Sequence, residues 1–136
     1  MDFQNLLSFE GRQRRLHFWI VAIIVGVINS VLYSVAVAPI VMAAVSHHPA
    51  PGGGVLSMIS SLLMIALLWP SIANSVKRLH DRDKSGWWLV AMYLACFTVI
   101  GALWPLIELG FLDGTPGPNK FGPSPKGLSG PALTPA

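Results

Sequence analysis

The sequence predicts an all-α membrane protein: three transmembrane helices with short loops and an irregular Gly/Pro-rich C-terminal tail. Three observations support this class. Apolar residues make up 53% of the 136 residues and charged residues only 11%, where a soluble domain carries roughly 25% charged. No Asp, Glu, Lys or Arg lies between Arg15 and Lys77, nor between Lys84 and Glu108. Water solvates such stretches poorly, whereas a bilayer requires them. The nine Lys and Arg flank the apolar runs instead of forming a patch of their own, which is how topology signals look. A net charge of +3 spread in this way predicts no nucleic-acid partner.

A helical membrane domain is predicted over 1–112, with an extended tail over 113–136. Residues 1–15 form an amphipathic lead-in. Leu6, Leu7 and Phe9 suit the headgroup region, and Arg12, Arg14 and Arg15 suit lipid phosphates. The first span is predicted at about 18–45. It exceeds the roughly 20 residues that a crossing needs, so it must tilt or break near Pro39. A cleaved signal peptide fits less well, because the apolar run is too long and Pro39 would directly follow the cleavage point.

Residues 47–54 contain His47, His48 and a run of Pro and Gly, which predicts a solvated loop. The second span is predicted at about 55–76, with a kink at Pro70, and Ser71, Asn74 and Ser75 are available for freed backbone groups. The third, about 87–109, opens on Trp87 and Trp88 and is interrupted by Gly101 and Pro105. Its length suits one crossing, not a hairpin of two. Cys96, the single cysteine, permits no internal disulfide and is predicted to be a small buried or lipid-facing filler. The tail lacks apolar periodicity and is predicted to be extended, with a disordered end.

Seven of the nine Lys and Arg fall in the lead-in and the loop 77–86. The positive-inside bias therefore places the N-terminus and that loop in the cytoplasm of a multi-pass protein. Three crossings put the tail outside. A third span that turned back at Gly101 or Pro105 would return the tail to the cytoplasm.

The segment from Lys77 to Trp88 is the most unusual. Its plain reading is a compact connector pinned by tryptophans at the headgroup level. A sharper reading is an anion site, where Arg78, Arg82 and the N-terminal arginines converge on phosphate. If the second helix continues to about His80, Lys77 and Asp81 stand four residues apart and can pair. His80, Asp81 and Asp83 are chemically competent metal ligands, but four nearby cations oppose a metal, and none is expected. No nucleophile elbow, phosphate loop or zinc-binding helix motif is present. The chain is therefore expected to hold no cofactor and to catalyse no reaction. Glu108 stands alone in an apolar run and is expected to snorkel to the interface.

Three motifs resemble a known pattern. Phe9, Gly11, Arg12, Arg15, Phe18 and Trp19 precede and open span one. Lys77-Arg78-Leu79-His80-Asp81 followed by Ser85-Gly86-Trp87-Trp88 forms the centre. Gly114 to Pro125, with Asn119 and Gly122, closes the pattern. Together they resemble a bacterial inner-membrane family, domain of unknown function 805 (YhaH-like). Lys77 stands where that family usually has arginine, and Phe121 where it has tyrosine. The resemblance implies an inner-membrane helical bundle and no reaction. It also directs attention to Phe9, Gly11, Arg12, Arg15 and Trp19 together with Arg78, His80, Asp81, Ser85, Gly86, Trp87, Trp88, Asn119 and Gly122. On one membrane face, Asp81 is expected to pair with Arg12 or Arg15.

The leading expectation is a structural or interaction protein that binds membrane lipids, or a membrane-protein partner, through its basic face. The alternative is a homo-oligomeric transporter or channel subunit, with Asn74 and Glu108 lining its path. A membrane enzyme acting on lipid phosphate would have only His80 and Asp81 to carry its chemistry.

Overall fold

A computed structural model describes residues 7–48 and 53–127. The expectations for 1–6, for 49–52 and for the end of the tail, 128–136, fall outside the described residues. The described chain is helical, without strands. It divides into two compact units, one of Met1–Val21 with Ile72–Ala136 and the other of Ala22–Ser71.

Helix α1, Arg15–Ser46, runs for 32 residues and continues through Pro39. Helix α2, Gly53–Asp81, runs for 29 residues and continues through Pro70. At about 1.5 Å per residue, either exceeds the roughly 30 Å hydrocarbon core of a bilayer. Both are long and apolar enough to cross a membrane. Of the two alternatives for the long first run, a tilt or a break near Pro39, the break is not formed. Past Pro70, Ser71 Oγ donates to the Leu67 carbonyl at 2.8 Å, supplying a hydroxyl bond one position along from the N–H that Pro70 lacks.

In the Ala22–Ser71 unit, Ile23, Val27, Val31, Leu62, Ile65 and Leu68 are all exposed. The sheltered positions recur at helical spacing: Val25, Asn29, Leu32 and Ala36 on α1, and Ser57, Ser60, Met64 and Leu67 on α2. Large apolar residues outward, with Asn29, Ala36, Ser57 and Ser60 among the sheltered positions, is a pattern suited to lipid as the surrounding medium.

In the other unit, the predicted third span is not one helix. Helix α3, Trp88–Ala95, ends at Cys96. Helix α4, Val99–Pro105, begins after Thr98, whose backbone is extended (φ −108°, ψ 147°) and whose hydroxyl accepts from Gly101 N at 3.0 Å. A Cβ at Gly101 would lie 1.9 Å from the Ala95 carbonyl oxygen, so the tightness of the turn requires glycine. Pro105 withholds an N–H, and the next turn, Leu106–Phe111, slips into π-helical register. Its closing bond, Leu112 N to the Ile107 carbonyl at 3.1 Å, spans five residues.

The two legs fold back on each other. The Trp88 and Trp104 rings meet edge to face at 6.0 Å, and Lys84 reaches Glu108 at 2.6 Å. Residues 88–111 are thus a helical hairpin whose start and end lie together, not the single continuous helix that their length suggested. The core beneath it is Leu79, Leu89, Met92 and Leu109, with Phe18, Ile72, Val76 and Trp104 packed against it.

The tail also departs from expectation. Residues 113–127 are folded, not extended. Thr115 N donates to the Asp81 carbonyl at 2.8 Å, and Asn119 and Gly122 exchange backbone hydrogen bonds at 3.0 Å each. Because the hairpin returns the chain to its starting point, the tail meets the lead-in and the end of α2.

Candidate functional site: an arginine-locked cap

The end of α2 determines the layout. Arg82 N and Lys84 N both bond the Leu79 carbonyl, Asp83 N bonds the His80 carbonyl, and Asp83 itself adopts a left-handed φ of 59°. This is a Schellman-type stop, with aspartate where glycine is usual. It leaves Arg78, His80 and Asp81 on the last turn facing the lead-in and the tail.

Asp81 is the hub. Its Oδ1 takes Arg12 Nε at 3.1 Å and lies 3.0 Å from Arg12 Nη2, while Oδ2 takes Arg78 Nη1. The Arg12 and Asp81 side chains are only 2% and 5% exposed. Of the two arginines considered for Asp81, Arg12 makes the pair. Arg15 goes elsewhere, its Nη1 donating to the Phe111 carbonyl at 2.9 Å.

Two guanidinium groups around one carboxylate leave excess positive charge in a dry place, and this costs several kcal/mol per ion unless every donor is satisfied. Backbone carbonyls supply the balance. Arg12 Nη1 donates to Gly117 O at 2.6 Å and Gly122 O at 3.3 Å, and Nη2 to Thr115 O at 2.8 Å. Arg78 Nε donates to Leu109 O at 2.9 Å, and Nη2 to Leu112 O.

The hairpin exit shows what the motif residues have in common. A helix end leaves its last carbonyls without intrahelical donors, and these form the negative pole of the helix dipole. Here four successive carbonyls are met by side chains from α1 and α2. Leu109 and Leu112 are held by Arg78, Gly110 by Trp19 Nε1 at 3.0 Å, and Phe111 by Arg15. Arg12 does the same for the tail. Asp81 joins the two sets.

His80 stacks on Phe121 with ring centroids 3.8 Å apart, and its Nδ1 lies 3.3 Å from the Gly11 carbonyl. Asn119 Nδ2 donates to the His80 carbonyl at 2.9 Å and to Thr115 Oγ1 at 3.0 Å. Gly11 has a φ of 84° and Gly122 of 128°, conformations that an L side chain would strain. At the hairpin base, Ser85 Oγ accepts from Trp87 N at 3.4 Å, and Gly86 lies so close to Val76 that a Cβ would stand 3.1 Å from its Cγ1. Trp87 is 80% exposed. Phe9 is half-buried in the lead-in.

The structure therefore gathers Gly11, Arg12, Arg78, His80, Asp81, Asn119 and Gly122 in one cluster and Arg15 and Trp19 at the hairpin exit. Ser85, Gly86, Trp87 and Trp88 lie at the hairpin base. The expected anion site, with Arg78 and Arg12 converging on phosphate, is not formed by these two residues, because carbonyl oxygens and Asp81 already occupy their donors.

Gly110 and Gln13 went unnoticed in the sequence, and the parts played by Gly114, Thr115, Gly117 and Asn74 were not foreseen. Gly114 approaches Asp81 so closely that a Cβ would fall 1.9 Å from Oδ2, and one at Gly110 would fall 2.6 Å from the Trp19 ring. Thr115 and Gly117 supply acceptors to Arg12. Gln13 Nε2 donates to Asn74 Oδ1 at 2.6 Å, and Asn74 Nδ2 to the Phe18 carbonyl at 3.2 Å. The glycine density of 110–122 was the available signal.

Glu108 does not snorkel alone. It is buried, with Lys84 at 2.6 Å and Arg82 at 2.7 Å. Burial pushes its carboxyl up, but the Lys84 hydrogen bond and the charges of Arg82 and Lys84 together hold it below the usual value. Among the described residues no group of three or more His, Cys, Asp or Glu is placed to hold a metal ion.

The family described as "Protein of unknown function (DUF805)" matches residues 6–123. The chain is 33% identical to "Inner membrane protein YhaH" of Escherichia coli (strain K12), over 90% of this chain and 91% of that protein. It is 32% identical to "Uncharacterized protein YiiR" of the same organism, covering 88% and 86%. With "Inner membrane protein YhaI" it shares 28%, covering 90% of each. No solved structure matches. The family match runs from the lead-in through both long helices and the hairpin to the turn that Arg12 holds, and the chain belongs to the DUF805 family.

Proposed function

We propose that this chain is a non-enzymatic structural or interaction protein of the bacterial inner membrane. In this reading it is multi-pass, with the N-terminus and the loop 77–86 in the cytoplasm, and it engages anionic lipid headgroups. The charge bias of the sequence supports the orientation, and two relatives are named as inner membrane proteins. Three crossings would require 88–111 to act as one span. The break at Cys96–Thr98 favours two, by α1 and α2.

One observation carries the headgroup reading. Once Arg12 and Arg78 are sealed inside, three of the remaining cations, Arg14, Arg15 and Lys126, gather on one rim, while Lys120 lies apart beside Asp83. Arg15 and Lys126 lie 3.6 Å and 3.4 Å from Asp113 and are about half exposed. Exposed Arg14 donates to the Pro125 carbonyl beside them. Asp113 is held below the usual carboxylate range by the Lys126 hydrogen bond, then by the Arg15 charge. The rim carries three cations against one anion. Near an anionic leaflet each cation contributes about 1 kcal/mol.

The transporter alternative gains less support, since Asn74 and Glu108 are both engaged by internal partners. The test is the anionic phospholipid retained by the purified protein in nanodiscs of mixed zwitterionic and anionic lipid. Replacing Arg14, Arg15 and Lys126 by alanine should abolish the enrichment and leave the helical content unchanged. Undiminished enrichment would overturn the reading. Loss of a co-purifying protein with lipid enrichment intact would replace lipid with a protein partner.

A further inference from the structure

We infer that the hairpin Trp88–Phe111 is re-entrant: it inserts into the leaflet on the cap's side, and its exposed surface is covered by lipid acyl chains. The inference concerns the hairpin and not the cationic rim, so either can fail alone.

Leg length is the first ground. Helix α3 has 8 residues and spans about 12 Å at 1.5 Å per residue. The hydrocarbon core is roughly 30 Å thick. A leg of this length reaches toward the midplane and no further, and the chain then returns to Glu108 beside Lys84.

The second ground is the order of side chains along the hairpin. Its base carries Arg82, Lys84 and Glu108 in one ion-pair cluster. Next comes an aromatic collar, Trp88 against Trp104, with Lys84 Nζ 5.1 Å from the Trp88 ring centre. Beyond it, Val90, Tyr93, Leu94 and Leu103 are exposed, and Phe97 at the tip is 90% exposed. Charge, then tryptophan, then bare hydrocarbon is the sequence of environments met on entering a leaflet from water.

The third ground separates lipid from water at the tip. A turn in water leaves N–H groups to solvent, whereas one in hydrocarbon must satisfy them internally. All three N–H groups of the turn have protein acceptors: Cys96 to Met92 O at 3.0 Å, Phe97 to Leu94 O at 3.5 Å and Thr98 to Ala95 O at 2.9 Å. The Thr98 hydroxyl also donates to the Ala95 carbonyl at 2.9 Å while accepting from Gly101 N.

The native Cys96, exposed at the tip, provides the probe. The full-length protein would be labelled there with an environment-sensitive fluorophore and reconstituted in vesicles containing doxyl lipids. In addition, Ser85→Cys and Lys126→Cys, each on a Cys96→Ser background, would be tested in cells with a membrane-impermeant maleimide. The inference expects acyl-chain doxyl groups to quench the Cys96 label more strongly than aqueous iodide does. It also expects the other two cysteines to label from the same side of the membrane. Labelling of Ser85→Cys and Lys126→Cys from opposite sides would show that the segment crosses, and overturn it. Iodide quenching that dominates at Cys96 would place the tip in water, and equally overturn it. Phe97→Asp should raise iodide quenching at Cys96, and no change on that substitution would count against lipid at the tip.

Discussion

At the scale of single residues, Asp81 has the largest consequences. One carboxylate neutralises part of two buried guanidinium groups, each of which also holds a different segment of chain. Asp81→Asn keeps the volume and removes the charge, leaving Arg12 and Arg78 facing each other in a site that excludes water. Removing one partner of a buried ion pair typically costs about 3–5 kcal/mol. A loss of that size is expected in detergent unfolding monitored by circular dichroism. Arg12→Lys should also destabilise, because an ammonium cannot reproduce a fork that reaches Asp81, Thr115 and Gly117 together. Gly114→Ala tests the packing side of the same site. Its Cβ has no room beside the Asp81 carboxylate, so the variant should release the tail, as seen by faster proteolysis after residue 112, while α1 and α2 stay helical.

Individual elements have weak points that can be altered separately. The stop of α2 forces Asp83 into a left-handed conformation, which glycine adopts without strain. Asp83→Gly should therefore raise stability by up to about 1 kcal/mol, since the Lys120 contact it gives up is long, at 3.9 Å, and the buried Asp83 Oδ1 makes no hydrogen bond that would be lost. The hairpin turn depends on one hydroxyl that both donates and accepts. Thr98→Val preserves the shape but leaves Gly101 N without its acceptor, a loss of about 1–2 kcal/mol for an N-cap. Faster hydrogen exchange confined to 96–103 would be the readout. Both elements contain chain reversals whose cause is a few backbone bonds, not composition.

Across the whole molecule, the cap's response to acid depends on Glu108. Its folded pKa is lowered, so it contributes stability fully above the ordinary glutamate value, and that contribution fades as pH falls through the lowered one. Acidification from neutral to below the ordinary glutamate value should loosen the base of the hairpin. A change in tryptophan fluorescence from the Trp88–Trp104 pair would report it, and Glu108→Gln should remove this step. Within the unit that holds the cap, Arg12, Arg78, Asp81 and Glu108 are turned inward, and in the Ala22–Ser71 unit the exposed positions are mostly apolar.

Composition and charge spacing alone established an all-helical membrane class and located the two long helices, because burial in lipid leaves its mark on every residue along a span, but they also counted residues 87–109 as a third span. The resemblance drew Arg12, Arg78 and Asp81 together and implied an Arg12 or Arg15 partner for Asp81. The resemblance led to the family. Tertiary structure decided the rest. Hydropathy reports whether a residue tolerates hydrocarbon, not whether the helix through it is continuous. A turn at Cys96–Thr98 built from apolar residues and an internally bonded threonine was therefore invisible in the third run. Equally, the sequence shows that arginines are present but not what their donors meet. The carbonyls of 109–122 became acceptors only when the hairpin brought them back to the ends of α1 and α2. Residues that looked like a surface for phosphate became the lock that closes the cap.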